Sequence, residues 1–449
     1  MEQKPIGDAT DLGSKAPTSF EIKVQEALDL AKVSGEWDFP LADSATDAAE
    51  MNHVDWAYWL YKKESPTIKA ESGVREALFA TDKSLIQLPD RFIRSTSLTM
   101  SASGDLTAMN GIEASKDTLY TKVNDVIFDA DISFANLEAA VTTQDFDSCF
   151  VAPVDPENCT LLRSSPAQFA ALVGHKQQTF SVLNFANNHT FDLGLDGIKT
   201  TQRLFAERNI VGIGTPATPE DYGRATFITR SDIKIGFISA TFGLNNRALP
   251  ENEKYRIHTA KLVSKYVEPD LELLNKQIEH CKSQNCDFIV ASLHWGHEFE
   301  FFPRASQLET AHLLIEQGVD LILGHHPHVI QPVEYYRTKR DPNRIAVIAY
   351  SMGGLTWGAW DMAPHVALSL ILRMKLSKGT LDDADRTYVA SIDVVPVLQN
   401  VLSQDGNRFI CVETLAEHVR ARRSHSEEWG RRIEQIDAYA RLVLGNSFS

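Results

Sequence analysis

The run Val-Asp-Leu-Ile-Leu-Gly-His-His-Pro-His places His325, His326 and His328 on a turn directly behind an apolar stretch that reads as a buried strand. Three imidazoles so close together are costly to bury as filler, because a buried ring nitrogen without a partner costs about 1–3 kcal/mol. Shared metal coordination would satisfy them, since neutral imidazole is a common nitrogen ligand for zinc, iron and related divalent ions. Pro327 restricts the backbone between His326 and His328 and so fixes the two rings relative to one another. A further candidate, His294 in Ser-Leu-His-Trp-Gly, precedes the cluster by about one strand–helix–strand unit.

Residues of this kind need strand ends to hold them. From Ser97 to about residue 400, short apolar runs alternate with amphipathic stretches. Strands are predicted at Leu98–Ser101, Ile132–Ala135, Phe180–Phe185, Ile233–Ala240, Phe288–Leu293, Leu321–Leu323, Ile345–Tyr350 and Val366–Met374. Helices are predicted at Leu119–Phe128, Pro166–Leu172, Gly197–Arg208, Val267–Cys281 and Ser306–Gln317. Such alternation predicts an α/β domain, in which ligands gather at the carboxyl ends of the strands. The runs from Val366 onward are joined by shorter connections and predict antiparallel pairing.

On that map the polar residues fall at strand ends: Asp105 after the first, Asn136 and Glu138 after the second, Asn187, Asn188 and His189 after the third, then His294 and the 325–328 turn. Taken singly, Asp105 reads as a cap, Asn187 and Asn188 as a turn, and Glu138 as a solvated charge. Jointly they offer only oxygen and nitrogen, the donor set of divalent metals. The absence of a thiolate suits two hard or borderline ions, manganese, iron or zinc. A bridging carboxylate would hold them about 3.5–4 Å apart, with a shared water deprotonated and aimed at an electrophile. Hydrolysis is the natural reaction of such a centre.

The chain has 449 residues, 43% of them hydrophobic, enough for a large core. Residues 1–20 read as a flexible arm, 21–96 as a helical N-terminal extension, 97–400 as the main domain and 401–449 as a helical tail. In the extension, Val24, Ala27, Leu28 and Ala31 recur at helical spacing, and the aromatic run from Trp56 to Tyr61 reads as packing. Sixty acidic against 44 basic residues leave a formal charge of −16, which argues against nucleic acid and anionic membranes as partners. Cys149, Cys159, Cys281, Cys286 and Cys411 form no dense disulfide framework, and free thiols are expected. The first twenty residues carry no secretory signal pattern, and no window approaches the roughly 18 apolar residues that span a bilayer. A cytoplasmic protein without membrane insertion is therefore expected.

The order Gly104-Asp105, Asn136-Leu-Glu138, Ala186-Asn-Asn-His189 with Asp192 and Gly194, His294-Trp-Gly296 with Glu298, Gly324-His-His-Pro-His-Val329 and Tyr350-Ser-Met-Gly353 resembles the CapA branch of the calcineurin-like metallophosphoesterases over roughly residues 97–360. CapA-type proteins belong to poly-γ-glutamate capsule biosynthesis systems. The resemblance implies a four-layer α-β-β-α sandwich with a dimetal site between the sheet ends, here with helical N- and C-terminal extensions. Carried over by position, Asp105 and His328 would serve the first metal and Glu138 would bridge. Asn188, His294 and His326 would serve the second. His189 would be the general acid or oxyanion donor, oriented by Asp192. Asn136, Asn187, Glu298 and His325 would line the substrate, with Arg163 and Arg304 as candidate anion clamps.

Three departures stand out. Asp105-Leu-Thr107 lacks the Asp-x-His of the wider superfamily. Ser351-Met-Gly-Gly-Leu355 replaces the usual Ser-Leu-Gly-Asn-Phe, removing a polar group, and the surface anchor usual in capsule proteins is not expected here. The expected function is a dimetal hydrolase of a γ-glutamyl amide or phosphoester-type substrate, small or oligomeric and anionic. The alternatives are a non-catalytic partner in a polymer-synthesis complex, with homo-oligomerisation open, and a phosphomonoesterase or phosphodiesterase.

Overall fold

The computed structural model describes residues 18–80, 83–151, 160–357, 362–404, 406–421 and 426–445. Most of the expected arm, residues 1–17, and Cys159 lie outside them. The strands expected from the alternation form two large sheets. One runs Asn407–Thr414, Ala384–Gln404, Leu368–Leu381, Ile93–Leu106, Ile132–Leu137, Val182–Asn184, Val211–Ile213, with Gly354–Thr356 beside the end of Ile93–Leu106. The other runs Thr226–Arg230, Ile233–Thr241, Phe288–His294, Leu321–His325, Ile345–Ala349, Val333–Arg337. The strands that end in candidate ligands pair parallel, Ile93–Leu106 with Ile132–Leu137 and Phe288–His294 with Leu321–His325, so their carboxyl ends lie on one rim.

Burial explains the layers. Met100, Phe134, Val182, Phe237, Val290, Leu323, Val347 and Leu372 fill the space between the two sheets. Phe169, Leu172, Leu204 and Phe205 cover the outer face of the first sheet, from helices Pro166–Leu172 and Gly194–Glu207. Leu274, Ile278, Leu308 and Leu314 cover the second, from helices Glu272–Ser283 and Ala305–Gln317. The result is the four-layer α-β-β-α arrangement. Phe288–His294 is buried at every position and reads as an unbroken apolar run because both its faces are covered. Ser165 and Gln168 form a capping box with Pro166 in the first turn, which starts that helix where the sequence placed it.

Three expectations need correction. The tail does not begin at 401, because Ala384–Gln404 continues through that position and Asn407–Thr414 is the edge strand of the first sheet. Helices follow only at Leu415–Arg420 and Glu427–Leu444. Of the helix expected over Leu119–Phe128, only Asn124–Ile127 forms, preceded by three-residue turns at Thr118, Thr121 and Val123. Threonine, tyrosine and valine in that stretch lose rotamer freedom in a helix. The main domain also starts earlier than Ser97, its first strand opening at Ile93. Cys149, Cys281, Cys286 and Cys411 are free thiols. Among the described residues no helix is long and apolar enough to cross a membrane.

The N-terminal extension carries helices Ser19–Ser34, His53–Glu64 and Val74–Leu78. The aromatic run does pack, with Tyr58 in a small core alongside Val24, Ala31 and Trp37. The extension is bound to the main domain by apolar packing, with Val74 and Leu78 buried in the core beside Phe299 and Phe302, and by charge. Glu300 accepts from Tyr58 Oη at 3.0 Å, Lys62 Nζ at 3.0 Å, and Arg304 Nε and Nη2 at 2.7 and 2.9 Å. Arg304 also reaches Glu71 at 3.0 Å, the Ser44 hydroxyl and the Leu41 carbonyl. Lys265 pairs with Asp55 at 2.9 Å and Lys261 with Glu50 at 2.8 Å. Removing one partner of such a buried network strands the others. Glu300→Ala should therefore destabilise the protein by about 3–5 kcal/mol, measured by urea unfolding. A loss below about 1 kcal/mol would show that this network is not what fastens the extension.

Candidate metal centre

Two glycines let the strand ends close up. A Cβ at Gly104 would stand 2.0 Å from the Gly353 carbonyl oxygen, and one at Gly324 would stand 1.9 Å from that of Tyr350. The Gly-Asp and Gly-His pairs are thus demanded by backbone approach. The Ser351–Leu355 segment lies there as backbone, Gly354 pairing with Asp105 and the Gly353 carbonyl accepting the Asp105 N–H at 3.0 Å. His326 and His328 both adopt positive φ, +96° and +56°, which turns the chain sharply past the end of the strand.

Two groups of ligand atoms result, one from Glu138, His294 and His326, the other from Asp105, Glu138 and His328. Glu138 belongs to both. In each group the atoms lie within 4.8 Å of one another and all the residues are buried. Asn188 Oδ1 joins the first group, 2.8 Å from His294 Nε2. Neither Glu138 oxygen has a hydrogen-bond partner among the described residues. The nearest ring nitrogens are His294 Nε2 at 3.4 Å and His328 Nε2 at 3.6 Å from Oε1. A fully buried carboxylate without a donor is expensive, and a divalent cation between these groups would satisfy it. The donor set, carboxylates, imidazoles and one amide oxygen, fits such an ion.

Electrostatics agree with this. Burial opposes ionisation of Asp105, but the hydrogen bonds from His325 and His328 outweigh it and hold its carboxyl well below the usual carboxylate range. Burial, then the charges of Asp105 and Glu298, push the Glu138 carboxyl well above that range. Burial depresses His294 and His326 well below the ordinary imidazole value, so both rings are neutral with a lone pair to offer.

His189 sits beside the metal groups, its Nδ1 2.7 Å from Asp192 Oδ2. Asp192 is held in turn by the Leu162 N–H at 2.6 Å and by Arg247 Nη1 at 2.9 Å. Glu298 lies at the margin, 3.7 Å from His328 Nε2, and accepts the indole N–H of Trp59.

Several residues expected to line a substrate are turned to other work. Asn136 donates from Nδ2 to Asp105 Oδ1 at 2.9 Å and accepts from Asn184 at 2.8 Å. Asn187 donates to the Leu137 carbonyl at 2.7 Å and accepts the His189 N–H. His325 Nδ1 stands 2.9 Å from Asp105 Oδ1, fully buried. All three thus bond to the segments that carry the ligands, Asn136 and His325 to Asp105 and Asn187 to the turn that carries His189. Arg304 is consumed by Glu300 and Glu71. Arg163 gives its Nε to the Ser148 carbonyl and lies over the Phe146 ring.

Other residues at the site were not anticipated. Asn245 bonds Asn188 at 3.1 Å and lies 3.4 Å from His189 Nδ1, while Arg247 anchors Asp192. Both follow Ile233–Thr241, a strand end where Asn245-Asn246-Arg247 supplies a polar run of the same kind as those after the neighbouring strands. Thr46 and Trp59 come from the N-terminal extension, and Trp357 packs its ring 4.6 Å from that of His328. Nothing in the local sequence links those three to the site.

Comparison with known proteins bears on this arrangement. A family model described as bacterial capsule synthesis protein PGA_cap matches residues 99–357, a span that holds every candidate ligand. The chain is 29% identical over 197 residues to the capsule biosynthesis protein CapA of Bacillus anthracis, covering 43% of this chain and 44% of that protein. It is 31% identical over 195 residues to the PGA biosynthesis protein CapA of Bacillus subtilis (strain 168), covering 43% and 47%. A probable polyglutamine synthesis accessory protein of Mycobacterium tuberculosis is 26% identical over 215 residues, covering 46% and 53%. The chain spans about half the length of the curated relatives it matches. Among solved structures, the calcineurin-like phosphoesterase YfkN from Bacillus subtilis aligns over 76% of this chain and 99% of that one, at 14% identity and a TM-score of 0.35. With more than half its length matched by the family model, this chain belongs to the PGA_cap family of bacterial capsule synthesis proteins.

Proposed function

We propose that this protein is a metal-dependent hydrolase acting on an anionic substrate of capsule-type polymer metabolism, a γ-glutamyl amide or a phosphoester. The observation that carries the reading is Glu138, a buried acid common to two groups of ligand atoms whose oxygens have no hydrogen-bond donor among the described residues. Asp105 and His328 would hold one divalent ion, Asn188, His294 and His326 the other, and Glu138 both. Bound there, manganese, iron or zinc would supply Lewis-acid polarisation and an ionised water. The chain's own residues do the rest. His325 and Asn136 fix the Asp105 carboxylate, Asn245 fixes the Asn188 amide, and Asp192 holds His189 by Nδ1 for proton delivery to a leaving group. The proposed setting is the cytoplasm, and the proposed substrate is anionic, a small molecule or an oligomer.

The test is a screen of the purified, metal-supplemented protein against γ-glutamyl peptides, phosphomonoesters and phosphodiesters. Hydrolysis of one class is expected; full metal loading with no turnover on any class would overturn the catalytic reading. One observation favours a second reading, that of a non-catalytic partner in a synthesis complex. His294 is fully buried, His326 and His328 are at most 4% exposed, and Thr46 of the extension lies against His326. A metal centre that binds its ions and never exchanges its water would identify that role.

The ligand assignment is tested separately. His294→Ala and His326→Ala should each lose the second metal while keeping the first, because neither residue belongs to the Asp105 group. Full stoichiometry by elemental analysis in either variant would refute the assignment.

A further inference from the structure

The residues argued to hold metal all lie within the family-matched segment, yet one contact on them comes from well outside it. Thr46 Oγ1 stands 2.9 Å from His326 Nε2. The other ring nitrogen, His326 Nδ1, is buried and has no hydrogen-bond partner among the described residues. The two nitrogens are therefore in different positions, one engaged by a hydroxyl and one with nothing to bond. In a neutral imidazole one nitrogen carries the proton and the other the lone pair, and the hydrogen bond made by one decides which.

Thr46 is well placed for this because its neighbours are tied down. Ser44 accepts from Arg304 Nη2 at 3.1 Å, the Ala45 N–H donates to Asp55 Oδ1 at 3.0 Å, and Asp47 pairs with Lys261 at 3.2 Å. Asp47 also lies directly over Gly243, where a Cβ would stand 2.5 Å from Oδ2. The adjoining Phe242 ring packs 4.6 Å from that of His326, restricting its rotation. The segment is thus seated against the end of Ile233–Thr241, and the hydroxyl's position is set by the extension as a whole.

We infer that Thr46 is a positioning residue for the metal centre: its hydroxyl accepts the His326 Nε2 proton and so presents the Nδ1 lone pair to the second metal. Docking of the N-terminal extension and affinity for that metal are thereby coupled. The inference rests on the proposal that His326 is a metal ligand.

The test compares the full-length protein with Thr46→Val, which keeps the shape and loses the acceptor, and Thr46→Ser, which restores it. Zinc or manganese binding is measured by calorimetry and elemental analysis. Thr46→Val should weaken the second site by about 10–100-fold, the usual effect of losing a partner behind a metal-bound histidine, with the first site unchanged. Thr46→Ser should recover most of the affinity. The ¹⁵N spectrum of the metal-free protein should show a single His326 tautomer, protonated at Nε2, and a mixture in Thr46→Val. Unchanged second-site affinity in Thr46→Val, or an Nδ1-protonated His326 in the native protein, would overturn the inference. A native protein that binds no metal through His326 would instead overturn the proposed function, so the two failures are distinguishable. Unfolding curves of the variants separate a lost tautomer from a lost fold, since Thr46→Val is expected to unfold at the same urea midpoint as the native protein.

Discussion

Replacing Glu138 with alanine should strip both metals from the protein at once, where each histidine variant strips one. Glu138 is the residue shared by the two groups of ligand atoms, and its two oxygens have no hydrogen-bond partner among the described residues. It follows Ile132–Leu137, whose register with the Asp105 strand, Asp105 opposite Asn136, brings the two carboxylates to the same rim. Burial and the charges of Asp105 and Glu298 already push its carboxyl well above the ordinary range, a balance that cations would reverse. Elemental analysis of Glu138→Ala should return no stoichiometric metal, and turnover should fall by about 10³-fold or more. Retention of either ion at native affinity would mean that Glu138 does not bridge. Glu138→Gln is the companion variant, because it keeps the volume and removes the charge. Should it fold normally and still lose both ions, the loss belongs to the carboxylate.

The second large effect is expected at His189, with the opposite signature. His189→Ala should bind metal as the native protein does and lose about 10²–10⁴-fold in kcat, the usual contribution of a positioned general acid. Its Nδ1 is held by Asp192 at 2.7 Å, and Asp192 is fixed by the Leu162 N–H and Arg247. Asp192→Asn should therefore lower kcat with little change in KM, since it disturbs the ring's orientation and not the binding of substrate. An unchanged rate in His189→Ala on the substrate found by the screen would remove it from the chemistry.

Much of the fold was readable because the signal was local. The apolar runs at Phe288–Leu293 and Leu321–Leu323 are short and flanked by polar residues, as buried strands are, and the helix expected at Pro166–Leu172 forms over those residues. What escaped were elements whose state depends on distant partners. Val333–Arg337 and Asn407–Thr414 are strands because Ile345–Ala349 and Ala384–Gln404 offer edges to pair with. Pairing of that sort is a tertiary fact, and half-polar segments do not announce it.

The site divides in the same way. Strand ends carry their residues with them, so Asp105, Glu138, Asn188, His189, His294, His326 and His328 could be named from sequence, and the structure brings them together. Their duties could not all be separated. Asn136, Asn187 and His325 sit within one or two residues of ligands and share their chemistry, and only the partners each meets in the fold, Asp105 for Asn136 and His325 and the Leu137 carbonyl for Asn187, set them apart. Arg304 looked available for an anion until folding brought Glu300 and Glu71 to it. The sequence by itself determined the chemistry: an oxygen and nitrogen donor set at the carboxyl ends of parallel strands, because residue type and strand periodicity are local properties. Only the tertiary structure decided which nitrogen of His326 is engaged and that Thr46, 280 positions away, engages it, because that contact depends on an extension docked by buried ion pairs and apolar packing and not on any spacing along the chain.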